Sequence, residues 1–65
     1  MLQSIVFRRA EMTLKEAYDF LRRHNYKHDK VDITPNTYRF RQHDPVPDAR
    51  YATKDFPGGF FVLSY

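Results

Sequence analysis

The chain has 65 residues, enough for one domain but too few for a deep, water-excluding pocket. It has no cysteine, which excludes disulfides and thiolate–zinc staples. Its 11 Lys and Arg against 8 Asp and Glu give a net charge of +3, which favours a polyanionic partner without requiring one. Five Tyr and six Phe make up 17% of the chain, and these rings must supply most of a thin core, at about 150–250 Å² buried apiece. With 42% hydrophobic and 29% charged residues the composition is that of a globular domain.

Residues 2–8, "LQSIVFR", are rich in β-branched and aromatic side chains and read as a first strand. Thr13 and Glu16 then form a T-x-x-E capping box that opens a helix over 14–24. At 100° per residue, Leu14, Ala17, Tyr18, Phe20, Leu21 and His24 share one arc, and Lys15, Glu16, Asp19, Arg22 and Arg23 fall on the other. Arg22 and Arg23 lie in the last turn, where cations complement the helix dipole. Asn25 is a left-handed terminator, and Tyr26 is placed to fold back over the helix end.

Residues 27–36, "KHDKVDITPN", read as a polar connection with a turn at Pro35–Asn36. A second strand is expected over 37–43, with Tyr38 and Phe40 on one side and Arg39, Arg41 and His43 on the other. Pro45 and Pro47 make the following segment a loop. A third strand over 51–56, a turn at 57–59 and a fourth strand over 60–65 complete the chain. The expected fold is α+β, in the order β-α-β-β-β: a small, mainly antiparallel sheet with one helix on one face. One helix leaves the other sheet face uncovered. Arg39, Arg41 and His43 are assigned to that open face. In the last strand Phe60 and Val62 face one way and Phe61, Leu63 and Tyr65 the other, so apolar surface remains exposed beside the arginines.

Residues 1–12 lack the basic start and long apolar run of a signal peptide. No stretch approaches the roughly 18 consecutive apolar residues of a membrane span. A soluble, intracellular, non-secreted protein with no membrane partner is expected. Catalytic chemistry is not indicated. Ser4 and Ser64, the two serines, lie inside strands with no neighbouring base, Thr13 is used as a cap, and Asp44, Asp48 and Asp55 occupy turn-type positions. Both glycines fall in one turn, so there is no phosphate-binding loop. His24 and His28 have the i, i+4 spacing of a metal pair, but the helix ends near Asn25 and only Asp29 stands nearby as a third ligand. No enzyme activity, cofactor or metal is expected.

The segments "TLKEAYDFLRRHNYKHDKVDITPNTYRFRQHDP" at 13–45 and "FFVLSY" at 60–65 resemble a family of small β-α-β-β modules of large double-stranded DNA viruses and tailed bacteriophages. That family's pattern runs T-L-x-E-A-x-x-W/F-L-k-x-H-x-Y-K, then K-V-D-x-T-x-N-x-Y-R-F-R-Q-x-x-P, then an apolar strand. Phe20 stands where tryptophan is frequent, and "PGGFFVLSY" replaces a more polar lead-in. The resemblance implies a viral or phage origin, an accessory or structural role, and a location in the host cytoplasm or nucleoid or in the virion.

The residues expected to bind are Arg39, Arg41 and His43 on the sheet, Phe61 and Tyr65 on the last strand, and Arg22 and Arg23 on the helix. Tyr, Phe and Arg are enriched at protein interfaces, and Arg with Tyr also suits phosphate contact and base stacking. Arg8, Arg9, Arg22, Arg23, Lys27 and Lys30 spread the positive charge, whereas nucleic-acid binders concentrate it. A protein partner, a virion component or an inhibited host factor, is therefore placed ahead of nucleic acid.

Overall fold

A computed structural model describes all residues, 1–65. Five strands and one helix follow in the order β1 (Leu2–Arg8), α1 (Leu14–Arg23), β2 (Val31–Ile33), β3 (Thr37–Arg41), β4 (Tyr51–Phe56) and β5 (Gly59–Ser64). They form one sheet, β2-β3-β1-β5-β4, with every neighbouring pair antiparallel. The α+β class expected from the sequence is the one observed.

The helix begins as the capping box dictates. Thr13 Oγ1 accepts from the Glu16 N–H at 3.2 Å, and Glu16 Oε1 accepts from the Thr13 N–H at 3.0 Å. The Glu16 carboxyl is held below its ordinary range first by the Thr13 N–H and second by the Thr13 hydroxyl, which also donates to Oε1 at 3.0 Å. At the other end His24 is the C-cap, and Asn25 takes φ 58° in the left-handed region. The N–H of Tyr26 reaches back to the Leu21 carbonyl at 2.9 Å and that of Asn25 to Arg22 at 3.3 Å, which is a Schellman closure. The helix thus stops one residue before the expected boundary.

Its apolar arc meets one face of the sheet. Ile5, Phe7, Ala17, Leu21, Tyr38 and Phe40 form a single buried cluster. Phe7 sits at its centre, with the rings of Phe20, Phe40 and Phe56 edge-on at 5.5, 5.7 and 5.7 Å. Tyr18 adds a further edge contact to Phe40 at 5.3 Å. His24, the sixth member of the arc, is exposed.

Three expectations need correction. The connection over 27–36 contains β2, whose Val31 and Ile33 pair with Phe40 and Tyr38. Three residues are too short for periodicity to register, and the strand exists because a two-residue loop at Pro35–Asn36 folds it onto β3. Thr34 closes that loop: its N–H donates to the Thr37 carbonyl at 2.9 Å, and its hydroxyl accepts from the Thr37 N–H at 2.9 Å. Strand β3 ends at Arg41 rather than 43, because the N–H groups of Gln42 and His43 both turn to the Gln3 carbonyl, at 2.8 and 3.2 Å. The Gln42 side chain then clamps the connection after the helix, accepting from the Lys27 N–H at 2.9 Å and donating to the Lys27 carbonyl at 2.8 Å.

The third correction concerns β5, which starts at Gly59, so the turn is only Pro57–Gly58. Gly58 has φ 98°, the value the third position of a type II turn requires after Pro57. Gly59 lies so close to β1 that an added Cβ would stand 2.0 Å from the Val6 carbonyl oxygen.

Replacing Leu21, which is fully buried, by Ala is expected to cost about 2–5 kcal/mol, and Thr13→Ala about 1 kcal/mol. Urea titration of the two variants measures both. Because the Glu16 pKa is lowered on folding, its stabilisation is present above the unfolded carboxylate value and disappears as pH falls through the folded one. The stability gap between wild type and Glu16→Gln should therefore narrow steadily on acidification, as read from urea midpoints across that range.

Candidate interaction face of the sheet

Ladder register decides which side chains share the face away from the helix. Val6 pairs with Arg39 on one side and Phe60 on the other, Arg39 pairs with Asp32, and Phe60 with Asp55. Paired residues in an antiparallel sheet point the same way. One row across all five strands therefore reads Asp32, Arg39, Val6, Phe60, Asp55. The adjacent row reads Arg41, Ser4, Val62, Thr53. The face has an apolar middle and charges toward its two sides.

Ser4 and Val6 are buried although no helix covers them. The Arg39 guanidinium helps roof them, with its Nε donating to Ser4 Oγ at 3.3 Å. Arg39, Phe60 and Val62 line a shallow groove over Val6 that extends to Asp32 and Thr37. A second hollow, sharing Thr37 and Phe60, continues it past Arg8 and Arg9.

The three arginines of this face differ in how their charge is met. Arg8 lies 3.5 Å from Asp55 and 3.6 Å from Glu11, donates to the Gly59 carbonyl at 3.2 Å, and places its guanidinium carbon 5.3 Å from the Phe60 ring centroid. The ion pairs of the molecule are those two and Arg22–Asp19. Arg39 and Arg41 form no ion pair, although Asp32 stands opposite Arg39 in the β2–β3 ladder.

The residues singled out from the sequence do not form one site. Arg39 and Arg41 lie together on the open face as expected. His43, assigned to their stripe, lies past the end of β3 and lines a polar cleft with Lys27, Lys30 and Arg41, beside Asp29 and Asp44. Phe61 is on the opposite face. It pairs with Ile5 and packs on Phe56 at 4.6 Å and Tyr26 at 6.3 Å, so it belongs to the packing under the helix. Tyr65 is 74% exposed, and its backbone pairs with Arg50 beyond the strand ends. Arg22 and Arg23 line a hollow with Met12 and Glu16 on the helix side of the molecule, and Arg22 is ion-paired with Asp19.

Phe60 and Val62 are the apolar residues that take the place of Phe61 beside the arginines. Their alternation with Phe61 is visible in the sequence, but the face each takes depends on how Gly59 docks against β1. Two of the three histidines pack against aromatic rings. His24 lies 4.5 Å from Phe20 and 6.0 Å from Tyr26, and His28 meets Tyr18 edge-on at 6.0 Å. Both serine hydroxyls are engaged, Ser4 with Arg39 and Ser64 with the Met1 carbonyl at 3.4 Å. No helix is long and apolar enough to cross a membrane.

Comparison with protein-family models, with curated proteins and with solved structures finds no match. The geometry of the open face therefore carries the functional argument.

Phe61→Ala should cost on the order of 2 kcal/mol, since it opens the packing between Phe56 and Tyr26. Arg39→Ser and Arg41→Ser should each stay within about 1 kcal/mol of wild type, because they remove one exposed and one half-buried surface side chain and a single side-chain hydrogen bond. Denaturation midpoints of the three variants, at equal slope, test this ordering.

Proposed function

We propose that this chain is a non-enzymatic binding module, that its working surface is the open face of the sheet, and that its partner is a protein. The observation that carries the reading is the pairing of an apolar strip, Val6, Phe60 and Val62, with two arginines that form no ion pair within the chain. Aromatic and aliphatic groups at the centre, with arginine beside them, are the composition of energetically dominant interface patches. Arg39 and Arg41 fit carboxylates on the partner, to which a planar guanidinium donates in pairs. The viral and phage module that residues 13–45 resemble makes a virion component or a host factor the expected kind of partner.

Charge layout ranks the two classes of partner. A phosphate backbone is met by concentrated positive charge, whereas the central row here ends in Asp32 and Asp55 and the Arg8 charge is already balanced. One observation supports nucleic acid as the second reading. Arg41 joins the open face to the cleft holding Lys27 and Lys30, a run of positive charge that a strand of phosphates could follow around the end of the sheet.

The deciding experiment pairs two measurements on wild type, the Arg39→Ser/Arg41→Ser double variant and Phe60→Ala. The first is a salt titration of binding to mixed-sequence single- and double-stranded DNA and RNA. The second is affinity capture from virus- or phage-infected cell extract, with and without nuclease. The protein reading expects capture that survives nuclease and is lost in both variants. Micromolar nucleic-acid binding that vanishes in the double variant, with a log–log salt slope of about −3 to −5, would replace it with the nucleic-acid reading. Wild-type behaviour of both variants in every assay would leave the face a solvated back and overturn both.

A further inference from the structure

Strand β4 hydrogen-bonds to β5 on one side and is the outer strand of the sheet on the other. Tyr51, Ala52, Thr53, Lys54 and Asp55 are all exposed. The ladder fixes which backbone groups face outward. Arg50 and Tyr65 exchange both of their backbone bonds, at 3.0 and 2.9 Å. Such pairs recur at every second position of an antiparallel ladder, so Ala52 with Leu63, Lys54 with Phe61 and Phe56 with Gly59 are the hydrogen-bonded pairs. The N–H and C=O groups of Tyr51, Thr53 and Asp55 therefore point out of the sheet edge.

This edge lacks two of the usual protections, since β4 contains no proline and its register runs without a bulge. Its charges, Lys54 and Asp55, select a register instead of blocking pairing. A twofold axis perpendicular to the sheet through Thr53 sets Thr53 opposite the partner's Thr53, Tyr51 opposite the partner's Asp55, and Ala52 opposite the partner's Lys54. Every outward-facing residue then enters a hydrogen-bonded pair, and no like charges meet. Moving the axis to Lys54 opposes two lysines and brings Tyr51 against the partner's Pro57, which has no N–H. Moving it to Ala52 carries Asp55 past the end of the partner strand.

We propose that two copies of the chain associate through β4, antiparallel about Thr53, so that the two five-stranded sheets become one. The axis direction puts both open faces on the same side, presenting two Arg39–Arg41 stripes together. The pairing is independent of what that face binds. A contact of one strand edge falls below about 1,200 Å², the lower end of specific interfaces, so the dimer is concentration-dependent.

Sedimentation equilibrium of the full chain, from micromolar to millimolar, tests this with wild type, Thr53→Lys and Thr53→Pro. Thr53→Lys opposes two cations on the axis. Thr53→Pro deletes an N–H that no bond within the monomer uses. Wild type should rise toward twice the monomer mass, while both variants stay at the monomer mass with unchanged circular dichroism. If Thr53→Pro unfolds, Thr53→Lys carries the comparison. Because the chain has no cysteine, Thr53→Cys introduces a unique thiol. Its Cα would lie about 5.5 Å from its twofold mate, within disulfide reach. Mild oxidation should cross-link it several-fold faster than Asp55→Cys, whose thiols lie apart. A wild type that remains monomeric at millimolar concentration, a dimer that persists in Thr53→Lys, or equal cross-linking of the two cysteine variants would each overturn the proposal.

Discussion

The burial of Phe7 on the central strand is the interaction on which the rest of this molecule depends. With no disulfide or metal to close it, a chain of this length has little apolar area to spend. Phe7 concentrates that area: a ring from the helix (Phe20), one from β3 (Phe40) and one from β4 (Phe56) each meet it edge-on. Phe20 and Phe56 also stack on each other at 5.2 Å, so helix and outer hairpin are tied together over the same spot. Because these contacts lie on one face, the opposite face is left to solvent or to a partner. The difference between the two sheet faces is thus a consequence of where the core was placed.

How much of this is legible in the sequence varies with the range of the interaction that fixes each feature. Thr13–Glu16 and Asn25–Tyr26 act within a few residues, and both helix ends stand where those residues put them. Tyr38 and Phe40 turn toward the helix as their alternation with arginine requires. Features set by distant partners are not legible. Strand β2 depends on β3 to pair with, and β3 ends where Gln3, far earlier in the chain, draws in two successive amides. Alternation separates Phe60 from Phe61 but cannot say which of them lies beside Arg39. That choice is made by Gly59, whose missing side chain lets β5 press against Val6 and Phe7.

Arg39 has a plain structural role beside its proposed one. Its side chain shields Ser4 and Val6, and a hydrocarbon stem under a charged head is a common way to keep an uncovered sheet face in water. The two roles are compatible, since a guanidinium already tethered to Ser4 loses less freedom on meeting a carboxylate than an untethered one. Arg8 lies on the same face but is occupied by Asp55, Glu11 and the Phe60 ring. The face thus carries an ion-paired arginine at one end and two arginines without ion pairs at the other.

The position of β1 between β3 and β5 also has a bearing on synthesis. Strand β1 is synthesised before every other element of the sheet, yet one of its two edges is satisfied only by β5, the last of them. Contacts of such long sequence separation close late and slow the search for the native state. Until β5 arrives, the "SIVF" stretch of β1 offers an unpaired, apolar, uncharged edge, the kind of segment on which nascent chains aggregate. Helix α1 and the β2–β3 hairpin are made in the interval and can cover one face and one edge of β1 in advance. The order of elements along the gene thus acts as a built-in holding device, shielding the strand that would otherwise wait longest for its last neighbour.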